Sequence, residues 1–99
     1  MQIENVLKAA VSHGATDVHI IAGMPIMYRI AGDLRAIDDT ILLPASTEEL
    51  CYSLLNKEQR QEFRITRDID VIRTFGRNRF RINLSQARES IGAVIRVLN

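Results

Sequence analysis

Apolar and polar residues alternate along the chain with a period that changes several times, and each change predicts a different element. In residues 2–13 the apolar side chains recur at i, i+3, i+4, i+7 and i+8, so they share one face of an amphipathic helix. Gly14 follows and is a common residue at a helix C-terminus. The period then falls to two, which predicts three strands, the last two joined by a hairpin turn at Gly32-Asp33. The strand ranges are 17–22, 26–31 and 34–38.

Two capping patterns predict a pair of helices in the centre of the chain. Ser46 and Glu49 have the S-x-x-E spacing of a capping box, which predicts a helix start. Asn56 and Gln59 have the same spacing ahead of a second short helix that runs to about Arg64. The apolar residues of the first of these helices are expected to face inward: Leu50, Cys51, Leu54 and Leu55.

The last third of the chain has strand character throughout. Residues 69–75, 79–86 and 91–98 are the expected strands, the first two separated by a turn at 76–78. The complete order is one helix, three strands, two helices and three strands. This order predicts an α+β fold with a mostly antiparallel sheet, in one domain that spans residues 1–99.

Composition indicates an ordinary globular domain but does not indicate a particular function. The chain is 46% hydrophobic and 25% charged, as in an ordinary globular domain. No apolar run approaches the roughly 20 residues of a membrane-spanning helix, so we expect a chain that is not inserted in a membrane. The single cysteine, Cys51, cannot form an internal disulfide, which favours a cytoplasmic location.

Residues that would carry catalysis or bind a metal are scarce. A phosphate-binding loop of the form G-x-x-x-x-G-K-[ST] is absent, because no glycine is followed by lysine. We therefore expect no catalytic residue, no ATP hydrolysis and no cofactor in this chain alone. Asp17 and His19 share a strand face, but only His13 and Cys51 remain as further ligands, so no metal site is expected. Cys51 lies on an apolar helix stripe and is interpreted as a core residue.

Arginine is concentrated in the last quarter of the chain. Alternation places Phe80 in the core, so Arg79 and Arg81 face the other side of the sheet, where Arg88 and Arg96 can join them. Three interpretations stay open: a solvated basic face, contact with a nucleotide phosphate across a domain interface, or contact with a nucleic-acid backbone. Since Phe80 points inward, base stacking on this strand is disfavoured and no nucleic-acid partner is expected.

Acidic residues are expected near these arginines. Asp68 and Asp70 share a strand face, and the arginine-rich strand follows directly across a turn. Opposite charges on neighbouring strands attract each other. The sequence therefore predicts cross-strand ion pairs between the two aspartates and Arg77, Arg79 or Arg81.

Several segments, in order and with matching spacing, resemble the hexameric motor ATPases of the type IV pilus retraction (twitching motility) family, within the type II/IV secretion ATPase superfamily. GATDVHI at 14–20 resembles the family segment "(G/K)ASDLHL", and AGMPIMYRIAGDLR at 22–35 resembles "SAGLPPMVRVDGDLR". Asp70 matches the aspartate of "(L/T)DFS". RFRIN at 79–83 resembles "RFRVN", and AVIR at 93–96 resembles "AVLR". The resemblance runs nearly end to end.

The resemblance implies a PAS-like N-terminal domain that precedes a RecA-like domain, which is expected C-terminal to this chain. In the family six subunits form a ring, and each N-terminal domain packs on the RecA-like domains of its own and the neighbouring subunit. The full-length parent is then expected to be an ATPase that uses ATP and Mg²⁺. Its further partner would be the platform protein of the pilus in the inner membrane, which places it in the cytoplasm at the inner face of that membrane.

The resemblance also assigns roles to individual residues. Arg81 and Arg96 occupy positions where family arginines approach the nucleotide phosphates or the domain interface, and Arg79 and Arg88 are further candidates. The family-signature residues Asp17, His19 and Asp70 are expected to have structural or interfacial roles. The alternative is a free-standing PAS-like sensory or scaffolding module without ATPase activity, which would need a cavity lined by convergent polar groups.

Overall fold

One antiparallel sheet and three helices form the computed structural model, which describes residues 1–87 and 89–98. The strands lie in the order β3-β2-β1-β6-β5-β4. The α+β class, with its antiparallel sheet, N-terminal helix and central helical pair, is confirmed. The elements are α1 (Ile3–Ser12), β1 (Asp17–Ile21), β2 (Met27–Ile30), β3 (Asp33–Ala36), α2 (Pro44–Ser53), α3 (Lys57–Thr66), β4 (Asp68–Phe75), β5 (Asn78–Ala87) and β6 (Ser90–Leu98).

The two faces of the sheet have different surroundings because side chains alternate along each strand. One face packs against the helices and supplies most of the core, including Val18, Ile82 and Ile95, which are fully buried. From the helices, Leu7 and Phe63 are buried in the same cluster. The side chains that alternate with these core residues form the open face, which no described helix covers. The predicted inward direction of Phe80 is confirmed, and Ile82 and Leu84, which alternate with the arginines of the same strand, are buried as well.

Each of the two hairpin turns differs by one residue from its prediction: the first is shifted by one residue, and the second is one residue shorter. Ile30 pairs with Asp33, so the first turn consists of Ala31 and Gly32, with φ of 51° and 86°. Positive φ at both central residues is the requirement of a type I′ turn, which suits the twist of a hairpin. In the second hairpin Phe75 pairs with Asn78, so the loop is only Gly76-Arg77.

The capping box predicted at Ser46 and Glu49 is wrong. Helix α2 begins three residues earlier than this box implies, at Pro44, with Leu43 as its N-cap and no side-chain capping bond. Proline is favoured in the first helical position because its fixed φ suits a helix and its missing N–H is not needed there. Ser46 therefore lies inside the first turn. The Thr47 hydroxyl donates to the Leu43 carbonyl at 2.9 Å.

The capping box predicted at the start of α3 is confirmed. The Gln59 backbone N–H donates to Asn56 Oδ1 at 2.8 Å, and the Asn56 backbone N–H donates to Gln59 Oε1 at 2.9 Å. These two bonds satisfy donors that a helix N-terminus leaves unpaired. The helix ends at Thr66, and its C-cap Arg67 adopts the left-handed conformation with φ of 62°.

Cys51 is a core residue, as predicted. Its side chain is fully buried on α2. Burial, with a smaller contribution from the charge of Glu48, raises the pKa of the Cys51 thiol to about 12. The thiolate, which is the reactive form, is therefore almost absent at neutral pH.

The two capping patterns provide a matched test. Asn56→Ala is expected to lower the free energy of unfolding by about 1 kcal/mol, because it removes a formed cap. Ser46→Ala is expected to change it by less than about 0.5 kcal/mol, since Ser46 makes no cap and alanine suits a helix interior. Urea unfolding followed by circular dichroism measures both. Equal losses in the two variants would contradict the assignment of the helix start.

Cys51 is expected to react slowly in the folded protein. A chromogenic thiol reagent at pH 8 should label it only at the rate of unfolding, because the side chain is buried and its pKa is raised. Adding urea should release the full signal of one thiol. Rapid labelling without urea would mean that the α2 stripe is accessible in solution.

Candidate functional site

A row of charged residues crosses the middle of the open face. Asp17 lies directly opposite Arg29 on β2 and directly opposite Arg96 on β6. Arg96 in turn lies opposite Arg81 on β5. One carboxylate and three guanidinium groups therefore stand side by side on four adjacent strands.

Asp17 is the buried centre of this row. Only 6% of the residue is exposed. Its Oδ1 accepts a hydrogen bond from Arg96 Nε at 3.2 Å, and its Oδ2 accepts one from the Thr16 hydroxyl at 2.8 Å. Arg29 Nε lies 4.0 Å from Oδ2. Both ion pairs found among residues 1–87 and 89–98 thus involve Asp17.

These contacts keep the Asp17 carboxyl ionised. Burial taken alone raises its pKa, because a charged group loses hydration. The hydrogen bonds from Thr16 and Arg96, together with the positive charges of Arg96 and His19, outweigh burial, and the net pKa is lowered. The carboxylate is therefore a permanent negative charge at neutral pH.

A second polar network joins β4 to β5. Asn83 Nδ2 donates to Asp68 Oδ1 at 2.9 Å and to Asp70 Oδ1 at 3.2 Å. The predicted ion pairs between these aspartates and arginines on the next strand are wrong. The strand register places Asp70 opposite Asn83, whereas Arg81 lies opposite Ile72. An amide donor therefore takes the place that arginine was expected to fill.

The two networks meet in a shallow depression of about 220 Å³ on the open face. Its lining contains four of the residues predicted from the sequence, together with Asn83 and Val94. These four are Asp17, Asp70, Arg81 and Arg96. Asn83 lies on this face because it alternates with the buried Ile82 and Leu84, and no role was predicted for it.

Two other predicted site residues, His19 and Arg79, are not part of the lining of the depression. His19 is half-buried on the same face, opposite Val94. Arg79 lies opposite Leu98, closer to the β4–β5 turn. Arg88 lies outside the described residues, so its position stays a prediction. Among the described residues, no group of three His, Cys, Asp or Glu side chains is placed to hold a metal ion.

The charges of the open face nearly cancel. Its described strands carry four arginines and three aspartates. The arginines are Arg29, Arg79, Arg81 and Arg96, and the aspartates are Asp17, Asp68 and Asp70. In the depression itself two arginines face two aspartates. The excess of arginine in the last quarter of the sequence therefore does not make the described part of the open face strongly basic.

Arg81 differs from Arg29 and Arg96 in having no hydrogen-bond or ion-pair partner within the described part of the chain. Arg96 is bound to Asp17, and Arg29 Nη1 donates to the Gly32 carbonyl at 2.9 Å. Arg81 is exposed and makes no such contact. A guanidinium group with free donors is suited to bidentate binding of a carboxylate or a phosphate.

Comparison with known proteins gives two sequence matches. No protein-family model matches the chain. The chain is 33% identical over 99 residues to the type IV pilus retraction ATPase PilT of Pseudomonas aeruginosa, a match that covers 99% of the chain and 29% of that protein. It is 30% identical over 97 residues to the type IV pilus ATPase PilU of the same organism, covering 97% of the chain and 25% of that protein.

Solved structures also share the fold. The crystal structure of the pilus retraction motor PilT with bound ADP matches the whole chain with a TM-score of 0.90 and 33% identity, and the match covers 29% of that protein. The Legionella pneumophila ATPase DotB matches the whole chain with a TM-score of 0.82, covering 30% of its own length. At 24% identity it supports the fold alone. The chain thus spans less than a third of each relative.

The lowered pKa of Asp17 predicts how the free energy of unfolding changes in acid. Because the pKa of Asp17 is lower in the folded than in the unfolded state, its stabilising effect is complete above the unfolded value of about 3.9. The effect is lost as the pH falls through the lower folded value. Asp17→Asn should therefore reduce the free energy of unfolding by about 1 kcal/mol at pH 7, a value discounted for the exposed Arg96 side chain. The reduction should shrink at pH 3.

Urea unfolding at the two pH values measures the effect. Asp39→Asn is the matched control, because Asp39 is exposed in a loop and makes no ion pair among the described residues. The free energy of unfolding of the Asp17 variant is compared with that of the unmodified protein at each pH. If the difference is the same at pH 7 and pH 3, the carboxylate charge does not stabilise the fold.

Proposed function

Starting from this match to the N-terminal domain of a pilus retraction ATPase, we propose that the chain is the N-terminal domain of a hexameric motor ATPase that drives pilus retraction or secretion. The observation that carries the proposal is the agreement in both sequence and fold along nearly the whole chain. Under this proposal the RecA-like domain of the parent protein binds ATP and Mg²⁺ and performs the hydrolysis. The motor works in the cytoplasm, at the inner-membrane platform of the pilus.

The open face is the surface that we assign to the neighbouring domains of the ring. Its arginines and aspartates are interspersed with exposed apolar side chains, among them Leu34 (45% exposed), Ile72 (55%) and Val94 (41%). Apolar residues surrounded by polar groups are typical of surfaces that bind another protein. Packing of this face on a RecA-like domain would bury these side chains and carry rotation between the domains.

Arg81 is the residue that we assign to sensing the nucleotide. Its free guanidinium group is available to a phosphate that approaches across the domain interface. A charge-assisted hydrogen bond of this kind contributes about 1.5–3 kcal/mol. One such bond biases the equilibrium between two domain arrangements by about tenfold to a hundredfold. Hydrolysis and release of the phosphate would remove this bias and allow the domains to separate.

The alternative, a free-standing PAS-like sensor, has less support. A small-molecule sensor needs polar groups that converge on a cavity and bind the ligand there. In the described residues every buried side-chain nitrogen and oxygen already has a hydrogen-bond partner. The core therefore offers no polar group that awaits a ligand, which favours the motor domain.

Replacing Arg81 tests the proposal. In the full-length protein that contains this chain, Arg81→Ala should lower the ATPase rate by about tenfold to a hundredfold, the loss expected for one charge-assisted bond. Phosphate release at saturating ATP measures the rate. Arg35→Ala is the matched control, because Arg35 is an exposed arginine of the same sheet that lies in register with the buried Tyr28, on the helix side.

The two variants separate a functional from a structural effect. The control should keep full ATPase activity, and both variants should keep the melting temperature of the unmodified protein. Unchanged ATPase activity in Arg81→Ala would remove Arg81 from the proposed site. Equal losses in both variants would mean that any loss of positive charge from the sheet slows the motor.

A further inference from the structure

We propose that Asp17 is a positioning residue that determines which of two facing arginines is free to bind phosphate. It holds Arg96 against β1 and leaves Arg81 available. The inference rests on the proposed function, because it concerns the same depression and the same class of ligand. It goes beyond that function by giving unequal roles to the two arginines.

The two arginines would repel each other without a nearby carboxylate. Arg81 and Arg96 are directly opposite on β5 and β6. Directly opposed residues of an antiparallel pair have their Cα atoms about 4.5–5.5 Å apart, and like charges there are destabilising. An anion between the guanidinium groups would relieve the repulsion, and so would drawing one of them away. Asp17 provides the second solution.

Strand order determines the direction in which Arg96 is drawn. Strand β6 lies between β1 and β5, so Asp17 and Arg81 stand on opposite sides of Arg96. The hydrogen bond from Arg96 Nε to Asp17 Oδ1, at 3.2 Å, holds the guanidinium group toward β1. The side chain of Arg96 is nevertheless 69% exposed, so it is held by this contact and not by burial.

Asp17 itself is well fixed. The Thr16 hydroxyl holds its second oxygen at 2.8 Å. The backbone of Thr16 is tied on both sides, since its N–H donates to the Arg29 carbonyl and its own carbonyl accepts from Val97 N–H. Arg29 is the weaker partner of Asp17, because its Nε is 4.0 Å away and its Nη1 donates to Gly32. Arg96 is therefore the arginine that the carboxylate holds.

An anion that enters the depression therefore finds one arginine already bound and one arginine available. The Asp17 carboxylate offsets the charge of Arg96, whereas the charge of Arg81 has no partner among the described residues. A phosphate that enters the depression therefore binds Arg81 and recruits Arg96 only by breaking its bond to Asp17. Removal of the Asp17 charge should release Arg96 and let both arginines converge on the anion.

Arginine side-chain NMR tests the hold on Arg96 without any ligand. In the unmodified protein the Arg96 Nε–H should exchange with water slowly, and the Arg81 Nε–H rapidly. Asp17→Asn should accelerate the Arg96 exchange to the rate of Arg81. Thr16→Val, which removes the hydroxyl that fixes Asp17, should accelerate it in part. Equal exchange rates for the two arginines in the unmodified protein would overturn the inference.

A pyrophosphate titration tests the choice between the arginines. Asp17→Asn should tighten pyrophosphate binding about two- to fivefold, the range expected for release of an exposed ion pair. Arg96→Ala alone should change the affinity less than twofold, and it should abolish the gain when combined with Asp17→Asn. Arg81→Ala should weaken binding most.

The outcomes distinguish this inference from the proposed function. Weaker or unchanged pyrophosphate binding in Asp17→Asn would overturn the inference, as would equal losses in Arg96→Ala and Arg81→Ala. Full ATPase activity in an Arg81→Ala motor would instead overturn the proposed sensing function, whatever the exchange rate of Arg96 Nε–H.

Discussion

The pairing of β1 with β6 is the constraint on which the rest of the structure depends. Strands β1 to β3 pair with their neighbours in sequence, and so do β4 to β6, but among the described strands only the β1–β6 ladder joins the two halves. Its register runs from Asp17 opposite Arg96 to Ile21 opposite Gly92. Because side chains alternate, a slip of one residue would turn the core side chains of β1 outward. Gly92 suits this close pairing, since a Cβ there would lie 3.2 Å from the Ile20 carbonyl oxygen.

This ladder also decides the electrostatics of the open face. It brings Asp17 to Arg96, 79 residues apart in sequence, while the β4–β5 hairpin brings Asp70 to Asn83. Arginines that form a basic segment in the sequence thus meet carboxylates from two other parts of the chain. Binding to a nucleic-acid backbone depends on many unopposed positive charges, whereas a face of balanced charges and exposed apolar residues suits a protein surface. The distribution of charge therefore supports the proposal that a neighbouring domain is the partner of this face.

The parts of the fold and site that could be predicted from the sequence are those governed by local spacing. Alternation identified Phe80 as core and Arg81 as outward-facing, and the Asn56–Gln59 cap depends on residues three apart. The Ser46 cap failed because the position of Pro44 outweighs a capping pattern that begins two residues later. The partners of Asp17 and Asp70 were missed for a different reason. They depend on which strands become neighbours and in which register, and no local pattern contains that information.

Under the proposed function, the unequal state of the two arginines fits the demands of a motor that must release its ligand in every cycle. Two converging arginines would bind a phosphate more tightly than one. Among related complexes, differences in affinity come mainly from differences in the dissociation rate. A tighter clamp would therefore hold the domains together longer after hydrolysis. With Arg96 held by Asp17, the contact that we propose to form and break is the one made by Arg81. Its bias of about tenfold to a hundredfold is small enough to be reversed. In this proposal Asp17 tunes the open face toward rapid release, at the cost of affinity for the anion.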